Sequence, residues 1–434
     1  MVWSSDFKER ISIDRARRAA RKLRSRLAPP PREVPVAPAP DLTPPRVGLF
    51  RDIDIAPHHR RDLGHPPSKS VIRSLHSGPI WPDFASRSWE RHNIDGRPFD
   101  EAPEPLAGPV ETLDQPALWI GYAAPHFGHL IAEHVTRVLW SRTLRPDDIC
   151  LMTAAPDPRG QPMVPRYIWE VLAKLGLPRR QVRIVDRPLR VRELRVLPQA
   201  EQHVQPGPDA AYLDLLDRQV ARSGLKPIPS ETLYVARLGL LARRTGAHAG
   251  ERYLVERLRA AGVSILDPAI APLNEQLARY AGARNLVFAE GSAAHGRQLL
   301  GRLDQRITVI NRRNGRRMAE ALLTPRCTGV TYVEAVRAWC APIRDNGEDH
   351  EPRAVSFYDV DALMAGFAPL GIDLASGWNA AAYRAACETD VATWVTAVQR
   401  DPTVNAAATL ARLDAVPAGP AEDASGSWHR SLAS

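Results

Sequence analysis

The sequence predicts an α/β protein made of two tandem units, each a parallel sheet covered by helices. Three observations lead there. From residue 117 onward, short apolar runs alternate with stretches of helical period. The alternation restarts after a proline-punctuated break, KPIPS, at residues 226–230. And 434 residues are enough for two domains plus tails.

Taken in order, residues 1–45 read as a basic arm and a proline-rich, disordered linker. Residues 46–225 form the first unit and 226–343 the second. Residues 344–416 read as a helical extension and 417–434 as a disordered tail. Up to residue 111 the pattern is loose and no element order follows from it. In the first unit, residues 117–121, 148–152, 182–185 and 194–197 suit strands. Residues 127–142, 164–175 and 210–222 have helical spacing; in the first of these, Leu130, Ile131, His134, Val135, Val138 and Leu139 share one face. In the second unit, strands are expected at 232–236, 263–266, 286–289 and 307–310. Helices are expected at 251–261 and 273–281, with another starting at 295. Two such units in tandem leave a cleft between them, and open α/β sheets hold ligands at the carboxyl ends of their strands.

Composition bounds the function. Apolar residues are 44% and charged residues 25% of the chain, which suits a globular protein with a buried core. The net charge of +9 is concentrated in part at residues 15–26, where seven basic side chains occur without an acid. Such an arm is either simply solvated or drawn to a polyanion such as the inner face of a membrane. No aromatic-interleaved platform or zinc-finger spacing supports nucleic acid as the partner. No run approaches the roughly 20 apolar residues of a membrane span, and residues 1–10 lack the apolar core of a signal peptide, so a cytoplasmic protein is expected. Cys150, Cys327, Cys340 and Cys387 make no CxxC pair and read as buried thiols.

Three stretches carry candidate chemistry. In residues 286–295, LVFAEGSAAH, an apolar strand runs into Glu290-Gly291-Ser292 and then a helix. Glycine admits a phosphate close to the backbone, Ser292 is placed to cap the helix, and His295 falls in its first turn, where it could donate to a phosphate oxygen. An ordinary capped strand-to-helix turn has the same pattern. In residues 233–244, LYVARLGLLARR, Arg237 ends a strand and Arg243 and Arg244 follow in a loop. The guanidinium fork matches phosphate oxygens, although solvated surface arginines would look alike. In residues 121–134, GYAAPHFGHLIAEH, His129 and Glu133 stand four apart on one helix face. A histidine oriented by a carboxylate can act as general base on a hydroxyl. The same residues also suit a satisfied buried pair, or a metal site made of His126, His129 and Glu133 or His134. No HExxH occurs, and no metal is expected.

These stretches resemble glycosyltransferase family 61. The landmarks follow in order: a strand ending in arginine at 234–237, Arg244, an acidic helix start at Glu251, the passage Gly262 to Pro268, Glu275-Gln276, and Glu-Gly-Ser-x-x-His at 290–295. Upstream, Phe127-Gly128-His129 with Glu133 is similar to the family's Gly-His-x-x-x-Glu helix. The likeness spans roughly residues 119–312, and bacterial relatives share it. Where members commonly carry Asn-Glu, this chain has Ala249-Gly250-Glu251. The resemblance implies a GT-B fold of two facing Rossmann-like domains. It implies inverting, metal-independent transfer from a nucleotide-sugar, which is the donor substrate, with no separate cofactor. The acceptor would be a glycan or lipid-linked hydroxyl, in cell-surface polysaccharide synthesis. Arg237, Arg244, Glu290, Gly291, Ser292 and His295 would hold the donor diphosphate; His129 would be the base, oriented by Glu133. Two other classes compete: a non-catalytic sugar-nucleotide-binding adaptor tethered by the basic arm, and a metal-dependent hydrolase.

Overall fold

The computed structural model describes residues 46–58, 76–103, 106 and 110–416. The arm at residues 15–26, the linker up to residue 45 and the tail from residue 417 lie outside these.

The first sheet is built from β1 (Gly48–Ala56) and β2 (Gly78–Pro79), then, after a separate hairpin of β3 (Asn93–Ile94) and β4 (Arg97–Pro98), from β5 (Glu111–Leu113), β6 (Ala117–Tyr122), β7 (Ile149–Thr153), β8 (Val182–Val185) and β9 (Leu189–Val196). Its order is β2-β1-β9-β6-β7-β8, with β5 also against β9. Strands β6 to β9 are parallel; β1 runs antiparallel to β9. Strand β9 begins five residues before the apolar run at 194–197 because its charged residues alternate with buried Leu189 and Val191. Arg190 reaches across to Asp54 of β1 with two bonds of 2.8 and 2.9 Å, so the charges sit on the solvent face and mask the strand in the sequence.

The second sheet is wholly parallel. It holds β10 (Ser230–Val235), and then, past the short β11 (Ala247–His248), β12 (Ser264–Leu266), β13 (Ala283–Ala289), β14 (Arg306–Ile310) and β15 (Gly329–Val333). The order is β12-β10-β13-β14-β15. Leu286, Val287 and Phe288 are fully buried, as expected of a parallel strand covered on both faces. Helices Glu251–Ala260 and Leu273–Gly282 are the crossovers. One continuous apolar core joins the two sheets, running from Leu118, Ile120 and Met152 to Phe288, Leu300 and Val309. Each such side chain contributes about 1.5–3 kcal/mol when buried.

Residues 344–416 carry one strand as well as helices. They supply β17 (Val355–Tyr358), which pairs with β16 (Val336–Cys340) and with β11, so a three-stranded sheet ties this segment to the second unit. Helices Val360–Phe367, Ala380–Gln399 and Ala406–Asp414 follow, each started by an Asp or Asn that accepts from the backbone three residues on. No helix among the described residues is long and apolar enough to cross a membrane.

The strand orders fix where a ligand can sit. In the first sheet, successive strands depart to both sides of β6, making a switch point between β6 and β9. In the second, the switch point lies between β10 and β13. At such a point adjacent crossovers leave in opposite directions and open a crevice beyond the strand ends. Residues 123–134 and 197–203 leave the first switch point; residues 236–246 and 290–299 leave the second.

Candidate functional site

Strand β6 ends in a bulge at Gly121, where φ is +112° and an added Cβ would come within 3.0 Å of the His134 carbonyl. The chain then re-enters at Phe127. The single helix expected over 127–142 is broken into one α-turn (Phe127–His129), a π-helical stretch (Leu130–His134) and an α-helix (Val138–Leu144). The cause is in the side chains. Residues 130–141 are all buried, including Glu133, His134 and Arg137. A regular helix turns about 100° per residue and would send some of them to water; widening the turn keeps them inside, as π-bulges at functional sites often do.

This places His129 and Glu133 in contact, with Nδ1 3.1 Å from a carboxylate oxygen. Glu133 has no exposed surface, while His129 keeps 23% of its side chain exposed. A carboxylate there fixes the imidazole's tautomer and orientation. Gln199, leaving β9, donates to the Glu133 carbonyl at 2.9 Å and locks the segment. His126 adjoins His129 at 4.8 Å between ring centroids. His203, from the loop after β9, lies 5.5 Å from His129 and 5.1 Å from His295. His203 escaped the sequence analysis because no local pattern surrounds it; only the topology brings it to the seam. Burial lowers the pKa of His203 and His295, and partial desolvation lowers that of His126, which keeps an exposed face, with the neighbouring imidazoles adding to the effect. They stand neutral at physiological pH.

On the second sheet, Arg237 follows β10 and is buried. Its Nε and Nη2 donate to the Gly246 carbonyl at 3.2 and 2.7 Å. Gly291 packs flat on this guanidinium: a Cβ there would lie 1.6 Å from Nη1. Gly128 makes the matching approach from the first unit, its Cβ position 2.9 Å from the His295 ring and 3.1 Å from Ser292 Cβ. Two glycines thus let the two strand-end loops touch.

Several expected roles change. Residues Ser292–Leu299 form a 3₁₀ helix, and Ser292 caps nothing. His295, the fourth residue of that helix, is buried, its Nδ1 held 2.7 Å from Gln298 Nε2. Glu290 is buried and accepts from the Arg312 and Arg313 amides at 2.7 and 3.0 Å and from the Arg313 guanidinium. Burial alone would raise its carboxyl; the charges of Arg313 and Arg312 outweigh that and hold it below the usual range. Its carboxylate organises these arginines. Arg244 points away, half exposed, with Asp401 3.7 Å distant. Its neighbour Arg243 faces the cavity instead.

Arg312 and Arg313, at the end of β14, complete the cationic cluster. The strand-end rule that singled out Arg237 applies equally to them. Arg312 is buried, and burial together with Arg237 lowers its pKa to about 9. Against the guanidinium groups of Arg237, Arg312 and Arg313 stand two carboxylates, Glu290 and Glu251. Glu251 accepts from Tyr234 Oη and the Arg237 amide, and burial raises its pKa to about 7. The cluster therefore carries surplus positive charge at neutral pH, in a setting of low dielectric where it acts strongly on an anion.

Arg237, Arg243 and Ser292 border a cavity of about 850 Å³ whose opposite wall is His126, Phe127 and Tyr167 of the first unit. That volume lies within the range of small-molecule and cofactor sites. Asp267 to Leu273 form a further wall, held by Gln276 through the Pro268 and Ala271 carbonyls.

A separate group, His92, Glu133 and His134, brings one possible donor atom each within 4.8 Å of the others. It does not suit an ion. The two imidazoles stack with centroids 3.9 Å apart and planes 15° apart. Their lone pairs lie in those planes and cannot converge on one centre at about 2.1 Å. The buried Arg137 beside them adds like charge, lowering the pKa of both histidines further than burial alone.

The geometry can be set beside known proteins. Residues 127–297 match the family model described as Glycosyltransferase 61. The matched segment is a glycosyltransferase family 61 domain. It contains His129, Glu133, Arg237, Arg244, Gly291 and His295, and stops before Arg312, Arg313 and the C-terminal segment. No curated protein matches the chain. Among solved structures, a mutant flavo-di-iron protein from Thermotoga maritima aligns at 12% identity over 35% of this chain and 40% of its own, with a TM-score of 0.19, which carries no argument about the family 61 domain.

Proposed function

We propose that this glycosyltransferase moves a sugar from a nucleotide-sugar to a hydroxyl of a glycan or lipid-linked acceptor, with inversion and without a metal ion. In this reading the two sheets act as the facing halves of a GT-B enzyme, the second unit taking the donor and the first the acceptor. The observation that carries it is the meeting of both switch points at one cavity, with Arg237 and Arg243 on the second unit's side and, on the first unit's side, His126, whose ring lies 4.8 Å from that of His129, the partner of Glu133.

The diphosphate would lie against Arg237 and Arg243. His129 Nε2 would take the proton of the acceptor hydroxyl as its oxygen bonds to the anomeric carbon. The bond from that carbon to the diphosphate oxygen breaks on the opposite face, and the released negative charge is met by guanidinium groups already in place. Preorganised charge of this kind lowers the barrier without rearrangement in the transition state. Glu133 stabilises the imidazolium that forms. Residues 15–26 would hold the protein to an anionic membrane surface on the cytoplasmic side, suited to cell-surface polysaccharide synthesis.

The test is turnover. Purified protein is supplied with a panel of nucleotide-sugars and candidate glycan acceptors, and nucleoside diphosphate release is followed. Transfer by the wild type, reduced about 10²–10⁴-fold in His129→Ala with donor affinity kept, is expected of a general base. A folded His129→Ala protein with full turnover would remove His129 from this role. Donor binding without any turnover would identify an adaptor instead.

A further inference from the structure

The arginines on the donor side do not hold themselves in place, and what holds them comes from the C-terminal segment outside the matched domain. Arg237 is anchored by the Gly246 carbonyl; the Gly246 amide donates to the Pro352 carbonyl at 2.9 Å. Gly246 has no room to shift, since a Cβ on it would lie 2.6 Å from the Ala354 carbonyl and 2.4 Å from Arg312 Nη1. Arg312 is held from the same short stretch: Ser356 Oγ donates to its carbonyl at 2.8 Å, and its guanidinium reaches the Ala354 carbonyl at 3.4 Å. Residues 352–356 thus contact Arg312 directly and Arg237 through Gly246.

That stretch is in turn clamped at Arg353. Trp394, buried in the helix Ala380–Gln399, donates its indole N–H to the Arg353 carbonyl at 2.9 Å. The Asp401 carboxylate takes the Arg353 guanidinium and is itself fixed by the Thr403 amide and hydroxyl at 3.0 and 2.7 Å. Arg244, on the loop between Arg237 and Gly246, points to the same Asp401 oxygen at 3.7 Å. The loop is therefore gripped at both of its outer corners.

We propose that Trp394 and Asp401 are positioning residues for donor binding: through Arg353 they set residues 352–356, and these set Arg237 and Arg312. The inference rests on the reading of the cavity as a nucleotide-sugar site. It makes the C-terminal segment part of the donor half rather than an appendage. A chain cut before residue 394 would keep every residue of the matched domain and still bind donor poorly.

The test measures affinity and stability together. Nucleoside diphosphate is titrated into the full-length wild type and into Trp394→Phe, Asp401→Asn, Asp401→Glu and Leu413→Ala. Leu413 is buried in the same C-terminal core and takes no part in the hydrogen bonds and ion pairs of the clamp, so Leu413→Ala controls for general destabilisation. The expected result is about fivefold to tenfold weaker binding in Trp394→Phe and Asp401→Asn, the effect of one lost hydrogen bond on the position of a charged group. Asp401→Glu should recover part of it, and Leu413→Ala should lower Tm while leaving affinity within twofold of wild type. Equal affinity in Asp401→Asn and wild type would overturn the proposal, as would a Leu413→Ala protein that binds as weakly as Trp394→Phe. A wild type that binds no nucleoside diphosphate would instead sink the donor-site reading itself.

Discussion

Replacing Gly291 with alanine should separate binding from folding. The new methyl would sit 1.6 Å from Arg237 Nη1 and 2.6 Å from Cζ, so the guanidinium must leave its bonds to Gly246. The backbone at Gly291 is extended, with φ 171°, which alanine adopts freely. What gives way is the far end of one side chain, which loses its bonds to Gly246; the loss of glycine's unfolded-state freedom offsets part of that cost, so unliganded stability should fall by about 1–3 kcal/mol. Binding is another matter. One displaced charge-assisted contact to a diphosphate is worth about 2 kcal/mol, or about 30-fold in Kd. At a nucleotide concentration that stabilises the wild type by about 2.7 kcal/mol, the variant should gain only about 0.9 kcal/mol. Thermal unfolding with and without nucleoside diphosphate reads both quantities. If Gly291→Ala keeps the full ligand-induced shift, the packing of Gly291 on Arg237 has nothing to do with the donor.

Two further predictions concern buried carboxylates. Glu251 is raised by burial from its ordinary value near 4.5 to about 7, so between those pH values the native state holds a proton that the unfolded state has lost. Stability should therefore fall as pH rises from about 5 to 7, by up to roughly 3 kcal/mol. Glu251→Gln, melted across the same range, should show a flatter profile; an unchanged profile would contradict the assignment. Glu201, from the loop after β9, meets Arg326 of the second unit with two N–O distances of 2.9 Å, and neither side chain exceeds 2% exposure. Glu201→Leu leaves that guanidinium buried and unpaired, which should cost about 3–5 kcal/mol in urea unfolding. A loss under about 1 kcal/mol would mean the pair does not hold the two sheets together.

Much of this fold was legible because apolar runs and helical periods survive in local sequence. Strands β6, β7, β10, β13 and β14 are short, buried and bounded by turn residues, and each lies within a few residues of where the period placed it. The first half of strand β9 and the whole of strand β1 were hidden for one reason: their outward faces carry arginines and aspartates that pair across the sheet, so neither looks apolar alone. The break in residues 127–142 was invisible because a helical wheel records which residues are apolar, not that Glu133, His134 and Arg137 must also turn inward. The site divides similarly. Arg237, Gly291 and the His129–Glu133 pair follow from local rules about strand ends and helix spacing. His203, Arg353, Trp394 and Asp401 come from distant parts of the chain, and only the topology sets them beside the others. Arg244 shows the limit of position along the chain: one residue later than Arg243, in a tight turn with φ +56°, it faces the other side of the loop.

The most direct test of the central claim is calorimetric titration of nucleoside diphosphates and nucleotide-sugars, in EDTA, into the wild type and Arg237→Met. The account predicts that one nucleotide binds the wild type without added metal, and that the variant, with its melting still cooperative, binds it at least about 30-fold more weakly. A well-folded wild type that binds none of them, or an Arg237→Met protein that binds equally well, would contradict it.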